Sequence, residues 1–97
     1  MAVTDLGEVL AEVYQVVLER KAALPEGSYT TYLFTKGQDK ILKKVGEEAA
    51  EVIIGSKNQD KSEVIYETAD LLYHLLVLLG FHEISLEEIA LELLNRR

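Results

Sequence analysis

The sequence predicts an all-α protein, a bundle of four to five helices. Among its 97 residues there is one proline, Pro25. No stretch alternates apolar and polar residues for long enough to make a strand. Asp or Ser followed three places later by Glu recurs just before runs with helical apolar spacing, which is how helix starts are written. The 48% hydrophobic content allows a core and excludes intrinsic disorder.

The elements follow in order. Asp5 and Glu8 open a first helix whose Leu6, Val9, Leu10, Val13, Val16 and Val17 share one face, and Pro25 with Gly27 closes it. A short helix covers Thr30 to Lys36 and stops at Gly37. Asp39 is expected to cap a longer helix carrying Ile41, Leu42, Val45, Ala49, Val52 and Ile53, ending between Gly55 and Asn58. Asp60 and Glu63 open the core helix, from about Lys61 to Leu79, with Gly80 expected to end it in left-handed geometry. Ser85 and Glu88 form a capping box, with Ile84 and Ile89 placed as its hydrophobic staple, and the last helix runs into Asn95. Short connections and no internal repeat make residues 1–97 a single domain.

Charge and composition narrow the function. Ten Lys and Arg against seventeen Asp and Glu leave a net charge of −7, which disfavours nucleic acid as a partner. The lack of cysteine removes disulfides, thiolate zinc sites, iron-sulfur clusters and thiol nucleophiles. The N-terminal residues carry no basic leader, and the longest apolar run, Leu71 to Phe81, is interrupted by His74 and falls short of the roughly 20 residues that span a bilayer. A soluble cytoplasmic protein with no membrane partner is the expectation. So small a chain buries only about 60 to 70% of its unfolded surface, so a homodimer or higher homo-oligomer is expected.

Two acidic groups require an explanation. Glu47, Glu48 and Glu51 fall within one arc of the third element, and Glu48 lies roughly 40° from the inward Val52. Such a run alone is usually a solvated surface. Glu67 and Asp70 sit where the core helix becomes apolar almost all round, in a narrow arc with Glu63 and His74. Carboxylates in apolar surroundings pair with cations, hold a metal or stay protonated. An all-oxygen cluster suits Mg²⁺, with Mn²⁺ possible, better than zinc or copper. The hairpin between Gly55 and Asp60 lets the two groups meet. Lys40 and Lys44, one turn apart beside Glu48, are either helix ion-pair partners or phosphate contacts. His74 is assigned a hydrogen-bonding place in the core or an interface.

Glu47-Glu48-x-x-Glu51, fifteen intervening residues and Glu67-x-x-Asp70 resemble the signature of the MazG-like all-α nucleotide pyrophosphohydrolases. Ser28-Tyr29-Thr30, Lys43-Lys44-Val45-Gly46-Glu47-Glu48-Ala49 and Glu67-Thr68-Ala69-Asp70-Leu71-Leu72-Tyr73-His74 are similar to its histidine-biosynthesis branch, the phosphoribosyl-ATP pyrophosphohydrolase family. The resemblance implies a MazG-like bundle completed by dimerisation and magnesium-dependent hydrolysis of phosphoribosyl-ATP, a small nucleotide, to phosphoribosyl-AMP and pyrophosphate. It carries Glu47, Glu48, Glu51, Glu67 and Asp70 over as metal ligands, with Glu48 and Glu51 as candidates for the catalytic base. Lys44, and more loosely Lys36, Lys40 and Lys57, carry over as phosphate contacts, and Tyr29 and Thr30 as substrate-binding candidates. Gly55 stands where the family more often has alanine. With no room for the cyclohydrolase domain found in fused members, the next pathway step is expected to belong to another protein.

Two other readings compete. A housekeeping hydrolase of nucleoside triphosphates fits the same acidic signature, and a non-catalytic helical dimerisation module fits if the acids are merely solvated. A di-iron carboxylate bundle is discarded, because neither His74 nor His82 has Glu three places before it.

Overall fold

Asp5 starts α1 (Leu6–Ala23) by accepting the Glu8 N–H on its side chain at 3.0 Å. The structure, a computed structural model, describes residues 4–97, so the expectation about the N-terminus falls partly on residues 1–3, outside the described residues. Leu24 ends α1 in left-handed geometry, its N–H on the Arg20 carbonyl, and Pro25 follows. Ser28 caps α2 (Tyr29–Lys36), accepting from the Thr31 N–H at 3.2 Å.

The start of α3 (Gln38–Lys57) corrects an expectation. Its N-cap is Gly37, with no side-chain cap bond, and Asp39 lies inside the first turn. There Asp39 meets the positive end of the helix dipole instead of a free N–H. Asp60 caps α4 (Lys61–Phe81) through the Glu63 N–H, and α5 (Leu86–Asn95) begins with the expected Ser85–Glu88 box. Helix α4 also runs past its expected end. Gly80 stays helical and buried, and Glu83 takes the left-handed position. The Lys21 ammonium donates to the Gly80 carbonyl at 2.7 Å and the Tyr14 hydroxyl donates to the Ile84 carbonyl, so α1 holds this end from outside.

Five helices and no strand are present among the described residues. Helices α1 to α4 meet around Tyr14, Val17, Leu33, Ile41, Leu76 and Val77. Each fully buried aliphatic side chain there contributes about 1.5–3 kcal/mol. The broadest contact is between α3 and α4, which run antiparallel across a three-residue connection. At its closed end, a Cβ on Gly55 would lie 3.1 Å from Glu63 Cγ, so glycine permits the close approach.

Several apolar positions expected to face inward do not. Val16, Leu42 and Ile53 are exposed, and α5 buries no residue at all. Among the described residues, no element covers those sides of their helices. Helix α4 is also longer and more apolar than the run Leu71 to Phe81 suggests: by length and composition it could cross a membrane. It packs against α1, α2 and α3, supplies Leu76, Val77 and Gly80 to the interior, and carries Glu67, Asp70 and His74.

Candidate active site

The α3–α4 hairpin fixes which carboxylates meet. Glu48, on the inner side of α3, is 6% exposed, and it faces Glu67 and Asp70 one turn apart on α4. Ligating oxygens of Glu48 and Asp70 and a ring nitrogen of His74 lie within 4.8 Å of one another. Burial pushes the Glu48 carboxyl up, but hydrogen bonds from Asp70, Lys44 and Glu67 outweigh it and leave it below the ordinary carboxylate range. Asp70 and Glu67 move the other way. Burial raises both, and the hydrogen bond and charge of Glu48 raise them further. One buried anion is therefore surrounded by two carboxyls that resist ionising beside it.

Lys44 supplies the nearest positive charge, 3.3 Å from Glu48 and 3.4 Å from Glu47. Burial alone would lower its pKa, but the hydrogen bonds to Glu48 and Glu47 and the neighbouring negative charge raise it. Glu47 thus joins the cluster through Lys44. Glu51 is exposed on the next turn, close enough for its charge to raise Glu67.

His74 is 2% exposed and both of its ring nitrogens are engaged. Nδ1 lies 2.8 Å from the Asp70 carbonyl oxygen, which can only accept, so Nδ1 carries the proton. In the neutral ring Nε2 then accepts from the Tyr29 hydroxyl at 2.8 Å. This is the buried hydrogen-bonding place expected for His74. With both nitrogens occupied, the donor set open to a cation is all oxygen, from Glu48, Glu67 and Asp70, and it fits a hard divalent ion such as Mg²⁺ or Mn²⁺.

The remaining predicted residues are distributed unevenly. Tyr29 reaches the cluster through His74. Thr30 is buried, its hydroxyl bonded to that of Tyr73. Lys36 and Lys40 flank the ring of Tyr32. Lys57 is exposed in the last turn of α3, about half a helical revolution away from Glu48 in direction and about two and a half turns beyond it. The sequence reading missed the Tyr29–His74 contact and Tyr32. The available signal was the i, i+3 spacing of the two tyrosines on a helix that leads into Lys36 and Lys40.

Carboxylates converging from both members of an antiparallel helix pair, with a lysine at their edge, define an all-α protein whose candidate site is an acidic hairpin. The sequence pattern described as PRA-PH, phosphoribosyl-ATP pyrophosphohydrolase, matches residues 10–97, and the chain belongs to that family. A protein of Geobacter sulfurreducens named phosphoribosyl-ATP pyrophosphatase is 58% identical over 89 residues, covering 92% of this chain and 82% of that one. One of the same name from Pelotomaculum thermopropionicum is 51% identical over 90 residues, 93% of this chain and 92% of its own. The histidine biosynthesis bifunctional protein HisIE of Thermoanaerobacter pseudethanolicus is 62% identical over 82 residues, 84% of this chain but 38% of that longer protein.

Proposed function

We propose that this chain hydrolyses phosphoribosyl-ATP at its α,β-phosphoanhydride, water adding across the bond to give phosphoribosyl-AMP and pyrophosphate, in the cytoplasm and as a single domain over residues 1–97. The observation that carries this reading is the convergence of Glu48, Glu67 and Asp70 across the hairpin, in a chain of this family. Glu48, Glu67 and Asp70 hold the divalent ion, with Glu47 and Glu51 at the rim. Bound there, Mg²⁺ would neutralise the polyphosphate and stabilise the leaving pyrophosphate.

The chain's own groups do the rest. Glu48 is committed to Lys44, Asp70 and Glu67, whereas Glu51 has no ion pair among the described residues and is the carboxylate free to take a proton from water. Lys44 contacts the phosphate chain. His74, holding the Asp70 carbonyl on one side and Tyr29 on the other, keeps the α2–α4 wall of the site in place. The exposed apolar faces of α1, α4 and α5 pair with a second copy.

The test is pyrophosphate release from phosphoribosyl-ATP against a panel of ordinary nucleoside triphosphates, with Mg²⁺, with Mn²⁺ and with chelator. Release from phosphoribosyl-ATP that chelator abolishes is the expected result. Equal or faster release from ordinary triphosphates would replace this reading with the housekeeping one. No release, with no metal binding by calorimetry, would leave the dimerisation module.

A further inference from the structure

Helix α2 carries a feature that the acidic cluster does not use. Tyr29 and Tyr32 are both exposed and stacked, with centroids 6.1 Å apart and planes 25° from parallel. They line an open cavity of about 460 Å³, within the size range of small-molecule sites. The ammonium groups of Lys36 and Lys40 each stand 5.9 Å from the centroid of the Tyr32 ring. Two positive charges are thus held on one ring. Neither has a carboxylate within ion-pairing distance among the described residues, although the chain has seventeen acids and ten Lys and Arg. With acids in such excess, a pair of lysines gathered without an acid leaves room for an anion from outside.

Its position suits one end of a nucleotide. Lys40, Lys44 and Glu48 follow at i, i+4 and i+8 along one face of α3, so the shelf lies about 12 Å along the helix from Glu48. Tyr29 joins the two places, its ring on the shelf and its hydroxyl on His74 beside Asp70. A substrate whose anhydride sits at the carboxylates would pass its phosphates along Lys44 and bring its base to the tyrosines.

We propose that Tyr32, with Lys36 and Lys40, is the specificity subsite: the purine stacks on the exposed aromatic pair, and the two lysines meet the phosphate of the phosphoribosyl group that ATP lacks. This rests on the function proposed above. Aromatic stacking holds any base, so the lysines, not the rings, are what separate phosphoribosyl-ATP from ATP.

Steady-state kinetics on the full chain with both substrates test it, using Tyr32→Ala, Tyr32→Phe and the double variant Lys36→Ala/Lys40→Ala, each checked for fold by circular dichroism. Removing both lysines raises KM for phosphoribosyl-ATP about ten-fold or more, the equivalent of one lost charge-assisted contact, with kcat within about two-fold and KM for ATP unchanged. Tyr32→Ala raises KM for both substrates and Tyr32→Phe restores it. Wild-type turnover of phosphoribosyl-ATP with unaltered KM in the lysine variant overturns the subsite alone, as does an equal rise for ATP. Wild-type protein that leaves phosphoribosyl-ATP intact overturns the function and the subsite together.

Discussion

Asp70→Asn keeps a hydrogen-bonding group against Glu48 and removes one of the charges that converge there, and Glu48→Gln does the same from the other side. Both changes remove a proposed metal ligand, so several kcal/mol of charge stabilisation is lost and turnover falls on the order of 100-fold or more. Stability moves differently. Without metal the raised Asp70 is opposed by Glu48, so in chelator Asp70→Asn melts no lower than wild type, whereas Glu48→Gln, which gives up the ion pair with Lys44 that holds Glu48 ionised, melts lower; activity and melting curves are to be measured on the same preparations. Turnover near wild type in both would remove the cluster from the chemistry. Tyr14 offers a second test, distant from the cluster. Burial first, then the negative charge of Glu88, raises its pKa above 10.0, and its hydroxyl holds the Ile84 carbonyl. Unfolded tyrosine ionises near pH 10, so the stability this group contributes is whole below about pH 10 and is lost as the pH rises through its higher folded value. Tyr14→Phe loses about 1 kcal/mol at neutral pH. In melts from pH 8 to 11 the gap between wild type and variant narrows above pH 10; a constant gap would mean that the hydroxyl is not protected.

At the scale of elements, the ends of α3 and α4 are built alike and neither uses glycine at the left-handed position. After α3, Gln59 (φ 56) donates its N–H to Ser56 and Asp60 donates to Gly55; after α4, Glu83 (φ 57) donates to Gly80 and Ile84 to Leu79. Each is the paired Schellman arrangement. A left-handed non-glycine residue costs roughly 1–2 kcal/mol, and glycine's extra freedom when unfolded costs about 0.5–1. Gln59→Gly and Glu83→Gly are therefore each expected to stabilise by about 0.5–1 kcal/mol, a Tm rise of several degrees for a domain of this size. A fall in Tm on both would show that the side chains stabilise the turns. These ends show what the sequence holds and what it does not. Asp5, Asp60 and Ser85 were readable as caps because each bonds an N–H three residues on, within a single turn. Where α4 stops was not readable, because Lys21 and Tyr14 hold that end from α1, 59 and 70 residues away. The site divides in the same way. Glu48 and Asp70 were placed together by spacing across a short hairpin, whereas the Tyr29–His74 contact joins residues 45 apart on helices whose packing no local pattern encodes.

At the scale of the whole molecule, the protomer is open for its size. Its radius of gyration is 14.4 Å, against about 12.5 Å for a compact chain of this length. Its accessible surface is 6954 Å², against about 5,600 Å² expected for its mass. The excess is larger than the roughly 800 Å² that each partner buries in a standard interface. It is apolar where α1 meets α4, along Leu6, Val9, Val13 and Leu72, and where α1 meets α5, along Leu10, Ile89 and Leu93. Helix α5 makes the same point alone: ten residues with none buried form a marginal helix unless a partner covers them. On the pairing proposed above, a second copy would supply a matching apolar face to every molecule. Wild-type protein is expected to sediment as a dimer or larger assembly at micromolar concentration, with a Tm that rises with concentration. Leu6 and Leu93 are each 62% exposed in the protomer, so Leu6→Arg and Leu93→Arg leave the fold of one copy intact and would place an unpaired charge in the proposed interface. Both variants should sediment as monomers with a lower Tm that no longer depends on concentration, and a wild-type protein that is monomeric at every concentration, with α5 protected from hydrogen exchange, would show that the open protomer stands by itself.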